Sequence, residues 1–141
     1  AYMSPVLESP FDTADRLIKE AEEENCKIKI VDFHAEATGE KMSIAYYLDG
    51  RVTAVLGTHT HVPTADLKIM SGGEAFISDL GMTGPEHSVL GVRPELTVAM
   101  MKDKLPVRFL TAEGDCFLCG ALLEVDKSSG KTVSARQIIV R

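Results

Sequence analysis

Two apolar runs on either side of one helix-forming stretch constrain this chain more than any other feature. "CKIKIVDF" alternates into a strand ending at His34, Thr38 can cap the helix "GEKMSIAYYLD", and Gly50 stops it just before "RVTAVLG". That last run is continuously apolar, the pattern of a strand covered on both faces. Strand, helix and strand within about thirty residues predict a right-handed βαβ crossover, and so a parallel strand pair with its site at the carboxyl ends. The spacing predicts Met42, Ala45, Tyr46 and Asp49 along one face of this helix. An earlier helix is predicted from a cap at Asp12 or Thr13 to Asn25, burying Ala14, Leu17, Ile18 and Ala21 and ending in the solvated run "EAEEEN".

The second half changes character. "ADLKIM" and "EAFISDLG" read as a hairpin about Gly72-Gly73, followed by the glycine-rich loop "GMTGPEHSVLGV" and a short helix begun by Pro94. "LPVRFLTAEG", "CFLCGALLEVD" and "KTVSARQIIVR" then predict an antiparallel meander, with its last two strands joined at Ser128-Ser129-Gly130. The reading is therefore α/β: one domain over residues 1–141, a mixed sheet plus an antiparallel meander, two packed sheets with helices outside. With 141 residues, 45% of them hydrophobic, the chain can bury a sizeable core.

The same totals exclude several classes of protein. No run approaches the roughly 18 apolar residues of a membrane span, and "AYMSPVLESPF" lacks the basic flank and apolar core of a signal peptide, so a cytoplasmic protein is expected. Three cysteines do not make a secreted disulfide framework. Cys116 and Cys119 form C-x-x-C on a strand, where they face opposite ways and are expected to be buried, inert thiols. At net charge −6, with its basic residues scattered, the chain offers no nucleic-acid groove. Bound cations would have to supply most of the positive charge for a phosphate substrate.

The chemistry gathers at the strand ends. On an extended segment, His59 and His61 in "GTHTHV" would point to the same side with Cβ atoms about 6.6 Å apart, and His34 repeats the strand-then-ligand layout. Such imidazoles suit one shared ion or two neighbouring ions. The plain alternative is strand-end histidines satisfied by hydrogen bonds or solvent. Asp32 is read as a partner of His34 or a strand-end residue, and Asp66 and Asp79 lie in or beside loops. Thr60 with Gly81, Thr83, Gly84 and Ser88 can form a pocket loop or a purely structural turn. His87 is expected to be a solvent-exposed loop residue.

"VDFHAEATGEKMSIAYYLDGRVTAVLGTHTHVPTAD" followed by "ISDLGMTGPEHSVLGV" closely resembles the C-terminal half of the YmdB-like metallophosphoesterases, a branch of the calcineurin-like superfamily. The similarity runs from about Met3 to the last strand, carried by "DFHAEAT", "GTHTHV" and "DLGMTGP" in that order. The resemblance implies the C-terminal portion of a four-layer αββα sandwich holding two divalent ions (iron, manganese or zinc) that activate a hydroxide against phosphorus. It also implies a phosphate-ester small molecule as substrate, with 2',3'-cyclic nucleotides favoured. Carried over by position, His34 and His59 bind one metal and His61 the other.

The family's N-terminal half brings an aspartate, a bridging glutamate, a metal-binding asparagine and an asparagine-histidine pair whose histidine serves in catalysis. This chain has no counterpart to them, and its one asparagine is Asn25. It does not begin with methionine. The expectation is a chain that alone holds one ion or none and is inactive. It would be completed by an absent N-terminal half, by another chain or by homo-oligomer formation, and without them it would leave exposed strand edges and an uncovered apolar face. No catalytic residue is assigned within it. Two other readings stay open: a non-catalytic scaffold or oligomerisation domain with a vestigial metal site, and a mononuclear three-histidine zinc hydrolase.

Overall fold

A computed structural model of the chain describes residues 8–141; the signal-peptide reading of the first residues and the start of the similarity at Met3 lie outside them. The elements are α1 (Pro10–Glu23), β1 (Ile30–His34), α2 (Thr38–Leu48), β2 (Ala54–Thr58), β3 (Lys68–Ile69), β4 (Ala75–Ile77), β5 (Thr83–Pro85), α3 (Pro94–Asp103), β6 (Cys116–Val125) and β7 (Thr132–Val140). They build a mixed sheet of order β1-β2-β4-β3 and an antiparallel sheet of order β5-β6-β7. The α/β expectation of a mixed sheet plus an antiparallel one is met.

The βαβ crossover forms as the apolar pattern requires. β1 and β2 are parallel, in register from Ile30 opposite Ala54 to His34 opposite Thr58, which brings both carboxyl ends level. β4 runs parallel on the other side of β2, and β3 closes the hairpin antiparallel to β4. Ile18, Ile44, Ala45, Leu48, Val52, Val55, Met70 and Phe76 make the core between the helices and this sheet. Gly57 is required where β2 passes β4, because a Cβ there would collide with the Ser78 carbonyl.

Both early helices differ in detail from the sequence reading. α1 is capped by Ser9, whose hydroxyl accepts from the Phe11 N–H at 3.3 Å, and Leu17 of its predicted buried face is 51% exposed. α2 starts at Thr38 after a cap position, Ala37, that makes no side-chain bond. Its buried stripe is Lys41, Ile44, Ala45 and Leu48, one residue out of phase with the expected Met42, Ala45, Tyr46 and Asp49. The period was right and the phase wrong, because a lysine occupies the first position of the stripe.

The antiparallel sheet also departs from the expected meander. "LPVRFL" forms no strand; Thr83–Pro85, from the glycine-rich loop, pairs with Cys116–Leu118 instead. Pro106 removes a ladder donor from the expected strand, and the segment's backbone pairing with its neighbours is the isolated bridge Val92–Thr111. The two sheets are stitched by the Thr132 N–H to the Gly73 carbonyl at 2.9 Å, and by the Thr132 and Thr53 hydroxyls to the Thr53 and Gly130 carbonyls at 2.8 and 2.7 Å. The cysteines are free but not buried: Cys26 and Cys116 are exposed and Cys119 half-buried, since Cys116 starts β6 on its open face.

Two apolar surfaces stay uncovered among the described residues. β1 is a sheet edge that begins at exposed Ile30, just after exposed Ile28, beside a groove of about 630 Å³ lined by Leu17 and Phe33. Leu118, Leu122 and Val140 share an exposed face of β6 and β7. No described helix is long and apolar enough to cross a membrane.

Glu74, just before β4, is fully buried with neither carboxylate oxygen hydrogen-bonded. Burial, with Asp49 repelling a second negative charge, pushes its carboxyl up to about 8. A raised acid pKa stabilises the fold fully below the unfolded value near 4.5 and loses that contribution as pH rises through about 8. Glu74→Gln should therefore gain on the parent between pH 5 and pH 8.5, by about 1–3 kcal/mol in urea unfolding. A pH-independent difference between the two proteins would refute the buried neutral carboxyl.

Candidate functional site

The level ends of β1 and β2 bring two imidazoles together. His34 Nε2 and His59 Nδ1 are 3.3 Å apart, with the rings edge to face at 5.2 Å. Behind them, His34 Nδ1 lies 3.2 Å from the Thr58 hydroxyl, which in turn donates to Asp32 at 3.4 Å. Because the Thr58 hydrogen goes to the carboxylate, its oxygen accepts from the His34 Nδ1–H. In a neutral His34 this bond would leave the Nε2 lone pair facing His59.

This spacing passes a simple fit test for a cation. Metal–nitrogen bonds of about 2.0–2.1 Å at a tetrahedral angle hold two nitrogens about 3.3–3.4 Å apart, so the pair can share one ion with little movement. Neutral imidazoles suit zinc, iron and manganese-type centres. Among the described residues, however, no three or more His, Cys, Asp or Glu side chains converge. His61 is accordingly not gathered with the His34–His59 pair.

The cause is the backbone. β2 ends at Thr58, and His59 (φ 154°) and His61 (φ 62°) both leave the extended conformation, so the regular i, i+2 alternation expected of a strand does not apply. Asp79 holds the bend: one carboxylate oxygen accepts from the Thr60 N–H at 2.7 Å, the other from the Gly81 N–H at 2.9 Å. The Thr60 hydroxyl donates to the Val62 carbonyl at 2.8 Å.

Asp79 is itself buried against Lys41, whose ammonium lies 3.5 Å from the carboxylate and donates to the Thr58 carbonyl at 3.3 Å. Burial pushes the Asp79 carboxyl up, but the Thr60 and Gly81 N–H groups and Lys41 outweigh it, leaving the group below its ordinary value. Asp66 behaves alike: burial is outweighed by donors from Ser78 and Thr64. The local sequence pattern gives Lys41 no role and places Asp79 beside a loop. The available signal was a lone lysine in phase with Ile44, Ala45 and Leu48.

The remaining candidates separate by position. His61 and Thr83 line a cavity of about 390 Å³ with Met82, Leu90, Phe109 and Leu110. Gly81, Gly84, Ser88 and Thr60 do not line it. Gly81 serves Asp79, Gly84 sits in β5, and the Ser88 hydroxyl ties the turn by donating to the Pro85 carbonyl and accepting from the Gly91 N–H at 2.7 and 2.9 Å. His87 is exposed.

A family model described as "YmdB-like protein" matches residues 1–138. The chain is 46% identical over 136 residues to a Bacillus subtilis (strain 168) protein named 2',3'-cyclic-nucleotide 2'-phosphodiesterase, a match covering 96% of this chain and 51% of that protein. Among solved structures it is similar to a hypothetical protein from Thermus thermophilus, at 40% identity and TM-score 0.86, covering 99% of this chain and 53% of the other. A structure described as a novel phosphatase from Mycoplasma pneumoniae is similar at 36% identity and TM-score 0.85, covering 99% and 50%. The chain spans about half the length of the curated relatives it matches.

Lys41→Met should destabilise the chain by about 3–5 kcal/mol, because it leaves the Asp79 carboxylate buried without its countercharge. Urea unfolding at pH 7 measures the loss. A change under 1 kcal/mol would show that the backbone donors alone sustain Asp79.

Proposed function

Because the chain belongs to the YmdB-like protein family, we propose that it supplies one side of a phosphodiesterase site acting on small phosphate esters, cyclic nucleotides foremost. The observation that carries this reading is the His34–His59 nitrogen pair, 3.3 Å apart at the ends of two parallel strands, in a chain 46% identical to a named cyclic-nucleotide phosphodiesterase. On this reading His34 and His59 hold one divalent cation (iron, manganese or zinc), and His61 serves a second. Such cations, when bound, supply Lewis acidity toward phosphoryl oxygens and toward the attacking water.

The chain's own residues do the positioning. Thr58 and Asp32 fix the His34 tautomer and ring, and Asp79, anchored by Lys41, fixes the bend that carries His59 and His61. Two histidines and a separate third cannot complete a two-cation site. The reading therefore assigns the remaining ligands to protein outside these 141 residues or to another copy of the chain. The open β1 edge and the exposed apolar residues beside it support that assignment, as does coverage of only 53% and 50% of two similar solved chains. A cytoplasmic location is part of the same proposal.

The full-length protein carrying this chain should hydrolyse 2',3'-cyclic AMP after loading with manganese or iron, and the 141-residue chain alone should be at least about 100-fold slower. A fully active monomer of 141 residues, verified by light scattering, would sink the divided site. Metal retention gives an independent readout. His59→Ala should abolish it, and Thr58→Val should weaken it by about 10–100-fold while Thr58→Ser restores it. Unchanged metal content in His59→Ala would leave the non-catalytic scaffold as the better reading.

A further inference from the structure

We propose that the cavity beside His61 is a base-binding subsite in which Phe109 stacks on the nucleobase of the substrate; this rests on the phosphodiesterase reading above. The cavity measures about 390 Å³, within the range of about 300–1,000 Å³ usual for small-molecule sites. His61 lines it together with the apolar side chains of Met82, Leu90, Phe109 and Leu110. No Asp, Glu, Lys or Arg lines it, so its occupant is an uncharged group. On the proposed reading His61 serves a cation that takes the phosphoryl group, and because His61 also lines this cavity, the ester substituent has the cavity beside it. In a nucleotide the part that is uncharged, flat and aromatic is the base.

The walls are built rather than incidental. Val89 and Val92 exchange backbone bonds at 2.9 and 3.0 Å, closing a turn with Leu90 (φ 53°) and Gly91 (φ 93°) at its tip. The segment carrying Phe109 is pinned to that turn by the Arg93 N–H to the Leu110 carbonyl at 3.1 Å and the Ala112 N–H to the Gly91 carbonyl at 2.9 Å. Phe109 and Leu110, 47% and 45% exposed, are thus held out toward solvent on a fixed backbone. An exposed aromatic face on a rigid support suits stacking, which tolerates any base and favours the larger purines. The Thr83 and Thr111 side chains are the polar groups at this cavity besides His61, too few to read one base against another.

The test uses the full-length, manganese-loaded protein and two probes: 2',3'-cyclic AMP and the base-free methyl riboside 2',3'-cyclic phosphate. Calorimetric binding and KM are both measured. In Phe109→Ala the cyclic AMP values should weaken by about tenfold or more, the base-free probe should be unaffected, and Phe109→Tyr should retain the parent values. Phe109 is half exposed, so folding is not at stake. If the parent hydrolyses both probes with equal KM, or if Phe109→Ala shifts both alike or neither, the subsite is overturned while the phosphodiesterase reading stands. A parent that neither binds nor hydrolyses either probe removes both.

Discussion

The buried contact between Lys41 and Asp79 is the constraint on which both core and site depend. Both side chains are 1% exposed, and removing two such charges from water is costly enough that their mutual attraction seldom repays it alone. Here the deficit is offset by fixed backbone dipoles. The Thr60 and Gly81 N–H groups point at the carboxylate, and the ammonium also reaches the Thr58 carbonyl. Each of these partners belongs to a segment that must be positioned: α2, the end of β2, the histidine bend and the turn after β4. The pair thus converts the packing of one helix into the orientation of a loop.

That conversion explains how the backbone can hold unfavourable conformations where it does. His59 and His61 both have positive φ, which costs a residue with a Cβ about 1–3 kcal/mol and persists only where the surroundings impose it. Asp79 imposes it from below through Thr60, and Gly81 completes the carboxylate's shell with a positive φ that only glycine adopts freely. On the proposed reading this amounts to preorganisation: His34 and His59 already sit at the separation one shared cation would require.

What the sequence discloses, and what it withholds, follows from the range of the interactions involved. The βαβ unit was legible because "IKIVDF" and "RVTAVLG" carry their own periodicity, and the hairpin because Gly72-Gly73 marks a turn. The helix phase was not, because Lys41 takes an apolar position by virtue of Asp79, 38 residues away in sequence. The third strand of the antiparallel sheet was misplaced for a similar reason. Thr83–Pro85 has no strand composition of its own and becomes one by lying against Cys116–Leu118. At the site, residue types pointed to the three histidines, whereas the end of β2 at Thr58 and the bend that separates His61 from the pair depend on a carboxylate the local pattern does not reveal.

The same carboxylate bears on how charge is balanced in the proposed site. The ligands proposed for this chain are imidazoles, and two carboxylates of the site's framework are already committed: Asp79 to Lys41 and two backbone donors, Asp32 to the Thr58 hydroxyl. Cations held here would keep most of their charge on this side, which favours an anionic phosphate but makes the site electrostatically costly without one. On the proposed reading the counter-charge would come from the ligands assigned to protein outside these residues. A partner segment supplying carboxylates would therefore be drawn to the bound cations as well as to the apolar surface at the β1 edge. Metal loading and completion of the fold would then be thermodynamically linked, each raising the affinity of the other.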